Sequence, residues 1–410
     1  MRISPGNFTA ACITMVVLVA MSIYLMSTVA DGVAAILTTN GIQQDFEESE
    51  RPMPQPLNSV RHPILNDSKT IPTLKQPRLV FLKTHKTASS TVTSVLQRYG
   101  YLKDLSFLMP KCGHILDTYH HFDVSKVQGL SSKSARERET LFNFLTNHAR
   151  YSRTDMDGVF HEARYVTILR DPVTQFESMF YYFEMFKYLP AGKNSLGGFF
   201  EDPENNFKLM RRKKMQFTEK RMHNQQLFDL GIDLNDMDDP STIDGKIGRL
   251  QDELDLVMIT EYFDESMVLL SKLMHWSLDD LRYISRGARQ PGFREPLTDD
   301  VRAQIRSWNS ADVKLYERFN RTFWGKVKGY GPSFEEDLKT FRKLQLDLSD
   351  TCRDVRKDDV TDRRVVKARL KEEAPKWCSV FFMDDVHFTA IIRKRMKMKG
   401  LPLYDTCDQR

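Results

Sequence analysis

The stretch from Arg78 to Gly100 limits the fold more than any other part of the chain. Arg78-Leu-Val-Phe-Leu82 is a short apolar run, which predicts a buried strand. Val92, Val95, Leu96 and Tyr99 then recur at i, i+3, i+4 and i+7, one apolar face of a helix. Gly100 is the expected helix stop. Between them lies Lys83-Thr-His-Lys-Thr-Ala-Ser-Ser-Thr91. A polar loop that opens onto a helix N-terminus presents backbone N–H groups and the positive end of the helix dipole, and both favour an anion. Lysine adds a point charge, hydroxyls add donors, and small residues such as Ala88 and Ser89 let a phosphate approach the backbone. The loop lacks the glycines of the GxxxxGK[ST] pattern. No acidic pattern for a magnesium ligand accompanies it, which argues against a kinase or an ATPase. The plainer alternative is a strand–turn–helix whose lysines face water.

A second unit follows the same plan. Arg164-Tyr-Val-Thr-Ile-Leu169 predicts a strand, and Phe176, Met179, Phe180 and Phe183 predict a helix after Arg170-Asp-Pro. Asp171 is placed to cap that helix and Pro172 suits its first turn. Arg170 then stands at a strand end, where open α/β sheets bind ligands. Ser178 lies about two turns further on, and an arginine fork with a hydroxyl can grip a second phosphate. Taken singly, Arg170 would pair with a carboxylate and Ser178 would face solvent. Residues 254–260 predict a third strand, followed by a helix with Asp264 as cap and Met267, Leu270 and Met274 inward. Phe334, Leu338, Phe341 and Leu344 mark a later core helix.

Composition narrows the function class. Hydrophobic residues make up 41% of the 410, too many for a wholly disordered or collagen-like chain. The net charge of +5 is too small at this length to imply a nucleic-acid partner. Phe8 to Ala30 carries no charge over 23 residues, and about 20 suffice to cross a bilayer. Arg2 precedes this run, while Asp31, Asp45, Glu47, Glu48 and Glu50 follow it. That balance predicts a cytosolic tail over 1–7 and a transmembrane anchor over 8–30. The small residues Ser27 to Ala30 leave signal-peptide cleavage as the alternative. Five prolines between Pro52 and Pro72 make 31–75 an extended stem, so the folded body is expected at 76–410. Its cysteines, Cys112, Cys352, Cys378 and Cys407, allow three pairings with none preferred. Without a CxxC pair, no structural zinc site is expected. Asn66 and Asn320 head glycosylation sequons. His114, His120 and His121 form no metal-ligand pattern. The basic runs from Lys208 to Arg221 and from Arg393 to Lys399 read as solvated helix faces, with anionic lipid or acidic glycan as the alternative partner.

Three segments carry a family resemblance. Lys83-Thr-His-Lys-Thr-Ala-Ser-Ser-Thr91 resembles the 5′-phosphosulfate loop of the galactose 3-O-sulfotransferases, and Val166-Thr-Ile-Leu-Arg-Asp-Pro-Val-Thr-Gln-Phe-Glu-Ser178 resembles their 3′-phosphate motif. Glu261-Tyr-Phe-Asp-Glu-Ser-Met-Val-Leu-Leu270 is similar to the matching segment of members that act on galactosylceramide. The resemblance covers about residues 78–330. It implies a P-loop-like α/β sulfotransferase fold, a central parallel sheet flanked by helices, preceded by one transmembrane helix in the Golgi membrane with the catalytic body lumenal. It implies 3′-phosphoadenosine 5′-phosphosulfate (PAPS) as donor, no metal, and the 3-hydroxyl of a terminal galactose as acceptor, on a glycolipid such as galactosylceramide or on a glycoprotein glycan. Lys86, Thr87, Ala88, Ser89, Ser90 and Thr91 fall on the phosphosulfate loop, Arg170 and Ser178 on the 3′-phosphate positions. Asn147-His148 resembles a pair at the family's acceptor side. Ser285-Arg-Gly-Ala-Arg289 is a weaker candidate contact to the 3′-phosphate.

Sulfuryl transfer depends on positioning and on stabilising charge. The attacking hydroxyl must lose a proton, and a neutral histidine suits that near pH 7. His85 is the expected base, with His148 as rival or acceptor ligand; Lys86, assisted by Lys83, would steady the leaving phosphate oxygen. A non-catalytic galactoside-binding membrane protein and an ATP-dependent kinase are the competing classes.

Overall fold

In the computed structural model of the chain, residues 78–212, 223–285, 296–355, 359–360 and 366–406 are described; all fall in the compact unit Ser59–Arg410. The expected tail, anchor and stem, with Asn66, lie outside the described residues, as do Cys407, residues 286–289 and much of the 208–221 basic run. Among the described residues no helix is long and apolar enough to cross a membrane.

Six strands frame the site: β1 (Leu79–Leu82), β2 (Ile115–His121), β3 (Phe144–Leu145), β4 (His148–Arg150), β5 (Arg164–Leu169) and β6 (Leu256–Ile259). Four of them form a parallel sheet in the order β3-β1-β5-β6, while β2 pairs with β4. Every residue of β1, β3 and β6 is buried. Strands covered on both faces need continuous apolar runs rather than alternation, which is why Leu79–Leu82 was legible as a strand.

The flanking helices are α1 (Ser89–Leu102), α2 (Pro172–Tyr182), α3 (Gln225–Asp229), α4 (Phe263–Met274), α5 (Ser310–Tyr330), α6 (Phe334–Cys352) and α7 (Asp385–Met398). α1, α2 and α4 begin just after β1, β5 and β6 respectively. α4 and α5 pack on β6, and α7 packs on α1. The α/β architecture with a helix-flanked parallel sheet is therefore as expected. From β1 the chain moves outward to β3, then crosses back to β5 and outward again to β6. The order reverses between β1 and β5, and crevices at such switch points take ligands in open α/β sheets.

Several local expectations are corrected. Gly100 does not stop α1, which continues to Leu102. A Cβ there would lie 2.4 Å from the Phe107 ring, so the glycine serves close packing. Asp264 does not cap α4; its carboxylate accepts the Tyr283 hydroxyl at 2.8 Å. Cys352 and Cys378 are joined by a disulfide, and Cys112 is also disulfide-bonded. The Arg393–Lys399 run is no simple solvated face. Arg393 donates to the carbonyls of Pro110 and Gly113, Arg395 donates to the Tyr101 carbonyl at 2.7 Å, and Lys399 pairs with Asp104 at 2.7 Å. Arg395 and Lys399 clamp α7 against the end of α1, and Arg393 ties it to the 110–113 segment.

Candidate active site

The turn after β1 holds two left-handed residues that are not glycine, Lys86 (φ 60°) and Ala88 (φ 61°). This conformation costs an L residue roughly 1–2 kcal/mol, so the surroundings must hold it. Thr84 Oγ1 lies 2.7 Å from Thr87 Oγ1 and donates to the Ile168 carbonyl; Ser89 Oγ donates to the Thr84 carbonyl. Thr260, just past β6, donates to the carbonyls of Thr87 and Leu169 at 2.7 and 3.0 Å. The hydroxyls of Thr87 and Ser89 thus shape the loop from within. Thr91 is buried in the first turn of α1. Ala88 caps α1 without any side-chain bond to its N–H groups, so the helix start is open to an external anion.

The two lysines of the loop are spent differently. Lys86 Nζ lies 3.4 Å from the centroid of the Tyr182 ring. Lys83 is buried and forms an ion pair with Asp385 at the start of α7. Ser90 Oγ donates to the same carboxylate at 3.0 Å. Lys83 beside it, with the Ser90 hydrogen bond, holds the Asp385 carboxyl down to about 2 against the opposing effect of burial.

His85 is buried at the centre of the turn. Asp229, the last residue of α3, accepts the His85 backbone N–H at 2.8 Å and lies 2.9 Å from its Nδ1 through both oxygens. A carboxylate only accepts, so Nδ1 carries the proton and Nε2 is the basic nitrogen of the neutral ring. His148 stacks on His85 with centroids 4.3 Å apart and planes 18° apart. It belongs to strand β4, not to a helix surface. Its Nδ1 donates to the Lys83 carbonyl at 2.9 Å, so its Nε2 is likewise the acceptor. The neighbouring Asn147 donates to the His114 carbonyl and to Thr389 Oγ1, both at 2.9 Å. It therefore ties β4 to α7.

The turn after β5 lies against the first. Arg170 donates from Nε to Thr174 Oγ1 at 3.0 Å and from Nη1 to the Lys86 carbonyl at 3.2 Å. Asp171 caps α2 by accepting the N–H groups of Val173 and Thr174, both at 3.1 Å, with Pro172 in the first turn. Thr174, Ser178 and Tyr182 follow at four-residue spacing, a ridge along α2. One end of that ridge meets Arg170 and the other meets Lys86, with half-buried Ser178 between. The two predicted phosphate turns are therefore neighbours.

Short helix α3 links the parts. Gln226 exchanges two hydrogen bonds with the Arg170 backbone at 2.8 and 2.9 Å, while Asp229 holds His85. Asp312 supports α3 from below, accepting the N–H groups of Gln226 and Leu227 at 3.0 and 2.8 Å. Burial pushes its carboxyl up to about 7. The structure brings His85, Lys86, Lys83, His148 and Arg170 together and adds Asp229, Asp385, Gln226 and Thr260, to which the sequence assigns no role in the site. Thr260 directly precedes the Glu261–Leu270 segment. Asp229 and Asp385 sit in no motif, and Asp385 lies beyond the span of the resemblance. Among the described residues, no three His, Cys, Asp or Glu side chains gather to hold a metal ion.

A family model described as Galactose-3-O-sulfotransferase matches residues 12–376. The chain belongs to the galactose-3-O-sulfotransferase family. Galactosylceramide sulfotransferase of Bos taurus is 35% identical over 263 residues, covering 62% of this chain and 59% of that relative. Galactose-3-O-sulfotransferase 2 of Mus musculus is 32% identical over 280 residues, covering 67% and 69%. Galactose-3-O-sulfotransferase 3 of Bos taurus is 34% identical over 301 residues, covering 71% and 66%. The match thus spans 59% of the length of the bovine galactosylceramide enzyme. The family model runs through both turns, 83–91 and 166–178.

Proposed function

We propose that this protein transfers a sulfuryl group from PAPS to the 3-hydroxyl of a terminal galactose, most directly that of galactosylceramide or a related glycolipid. The observation that carries the reading is the pairing of the two turns at the switch point, joined by the Arg170–Lys86 carbonyl bond at 3.2 Å. The donor set fits such a nucleotide: Lys86 and backbone N–H groups at an uncapped helix start, and an arginine with a hydroxyl ridge beside it. Lys86, Thr87, Ala88, Ser89, Ser90 and Thr91 would hold the 5′-phosphosulfate, and Arg170 with Ser178 the 3′-phosphate. PAPS supplies the transferable sulfuryl group. His85 Nε2 accepts the proton of the acceptor hydroxyl, and Asp229 stabilises the imidazolium that results, the logic of a carboxylate-oriented histidine. His148 donates from Nδ1 to the neutral Lys83 carbonyl where His85 has a carboxylate, so His85 is taken as the base and His148 packs it in place. Lys86 steadies charge on the leaving phosphate oxygen, and Lys83 assists from its pair with Asp385.

The 35% identity to a galactosylceramide sulfotransferase and a membrane anchor over 8–30 support a lipid acceptor. N-acetyllactosamine glycans of glycoproteins form the second reading, supported by the similarity to galactose-3-O-sulfotransferases 2 and 3. The placement is a single-pass Golgi membrane protein, with tail 1–7 cytosolic, stem 31–75 and body 76–410 lumenal. The Cys352–Cys378 disulfide supports an oxidising compartment. Asn66 is the better glycan acceptor, because Asn320 stands in mid-α5 with a buried, unpartnered amide oxygen. The test is transfer of labelled sulfate from PAPS to galactosylceramide, lactosylceramide and N-acetyllactosamine without added metal. Absence of transfer to all three sinks the reading, as does a requirement for ATP and magnesium.

A further inference from the structure

A cleft of about 430 Å³ is walled by Tyr119, His121, Arg150, Phe228, Asp233 and Leu234, and shares the strand that carries His148 and the short helix that carries Asp229. Its position follows from two elements already in the site. β4 carries both His148 and Arg150, and residues two apart on a strand point to one face about 6–7 Å apart. α3 carries Phe228 directly before Asp229, the partner of His85. The cleft therefore begins one pleat beyond His148, on the β3–β4 side of His85. Arg170 and Lys86 lie toward β5, on the other side.

The chemistry of the walls differs from that of the phosphate turns. Arg150 is the one cation in the lining, and its Nε and Nη2 groups are engaged by the protein itself. It donates to the carbonyls of Phe228 and Ile232 and to Asp233 at 2.8 Å, and lies 4.0 Å from the centroid of the Phe228 ring. His121 Nε2 donates to the Gly231 carbonyl at 3.2 Å. Burial, with Arg150 nearby, lowers His121 from its ordinary value and so disfavours its charged form. His120 and Asn235 add polar groups, and Leu234 adds an exposed apolar face. Gly231 sets the turn that presents Asp233 and Leu234: its φ is +89°, and a Cβ would sit 2.5 Å from the Tyr151 carbonyl oxygen. Compensated charge, neutral hydrogen-bonding groups and an apolar wall suit a neutral sugar ring, whereas a phosphate needs an uncompensated cation.

We propose that this cleft is the acceptor pocket, and that it binds the galactoside on the face of His85 opposite the nucleotide. The proposal rests on the sulfotransferase reading and adds where the acceptor lies. Tyr119 and Leu234 bound the sugar's apolar face, Asn235 and His120 meet its hydroxyls, and Arg150 with Asp233 fixes the floor.

The test uses the full chain with Leu234→Trp, which fills the cleft from an exposed position, and Tyr119→Ala, which removes a wall. The galactoside KM should rise about 10-fold or more in both, as expected when a binding contact is lost without loss of chemistry. Affinity for 3′,5′-ADP should stay as in the wild type. Thermal unfolding checks that each variant folds, and Leu234→Ala replaces the tryptophan variant if that fails. Methyl β-galactoside binding by saturation-transfer NMR, without donor, gives an independent readout. If wild type transfers sulfate and Leu234→Trp leaves the acceptor KM unchanged, the pocket assignment falls while the function stands. If wild type transfers to no galactoside, the function falls and the NMR decides the pocket. Binding lost in Leu234→Trp keeps the pocket, and no binding by wild type overturns it.

Discussion

The turns after β1 and β5 serve opposite ends of one proposed nucleotide site, yet they are held by different means. The β5 turn is shaped mainly by its own side chains: Asp171 caps α2, Pro172 starts it, and Arg170 bonds Thr174 within the same turn, while Gln226 and Glu261 brace only its backbone. The β1 turn contains two left-handed residues without glycine, and distant chain segments brace it. Asp229, 144 residues from His85 in sequence, fixes the imidazole. Asp385, 302 residues from Lys83, fixes the ammonium. The lesson is a division of labour. The locally specified turn has the chemistry of a nucleotide grip, and the cross-braced turn holds the groups that must be oriented to within a few tenths of an ångström for proton transfer.

The sharpest way to break that comparison is to remove the base. His85→Ala should lower kcat by about 1,000-fold, the middle of the range for general-base loss, with 3′,5′-ADP binding kept. Asp229→Asn should cost less, because Nε2 survives while its orientation and charge partner weaken. If His148→Ala costs more than His85→Ala in the same assay, the base is His148 and the cross-bracing argument fails.

The β5 turn should respond in binding rather than in chemistry. Arg170→Ala should weaken 3′,5′-ADP by about 10- to 100-fold in calorimetry, from the loss of charge-assisted hydrogen bonds worth roughly 1.5–3 kcal/mol. Arg170→Lys should recover only part of this, since an ammonium has no fork. Unchanged affinity in Arg170→Ala would remove the 3′-phosphate assignment.

The bracing of the β1 turn by α7 is testable through pH. The Asp385 carboxyl is lowered from 3.8 to about 2 in the folded protein. A depressed carboxyl contributes stability that is present above its unfolded value and is lost as pH falls through the folded one. Chemical denaturation should therefore show a gap of roughly 2–3 kcal/mol between wild type and Asp385→Asn above pH 5. The gap should close between pH 4 and pH 2. A gap that does not change with pH would show that the ion pair with Lys83 is not the brace.

The smallest effect concerns backbone strain. Ala88→Gly should stabilise the fold by about 0.5 kcal/mol. The left-handed cost of an L residue, roughly 1–2 kcal/mol, is partly offset by the roughly 0.4–1 kcal/mol of entropy that glycine adds to the unfolded chain. Destabilisation in a thermal melt would mean that the Ala88 methyl packs more than it strains.

Much of this protein was determined by its sequence alone. The three β–α units and the Asp171 cap follow from apolar runs, helical spacing and capping chemistry. These act within a turn or two of backbone, where neighbours in sequence are neighbours in space. Tertiary structure decided the rest: that Asp229 and Asp385 reach His85 and Lys83, that His148 stacks on His85 from a strand, and that Gly100 makes room for Phe107. Each depends on which distant elements the sheet order and helix packing bring together. No local periodicity encodes that placement, because a carboxylate on a short helix carries the same sequence signal whether it faces water or a buried imidazole.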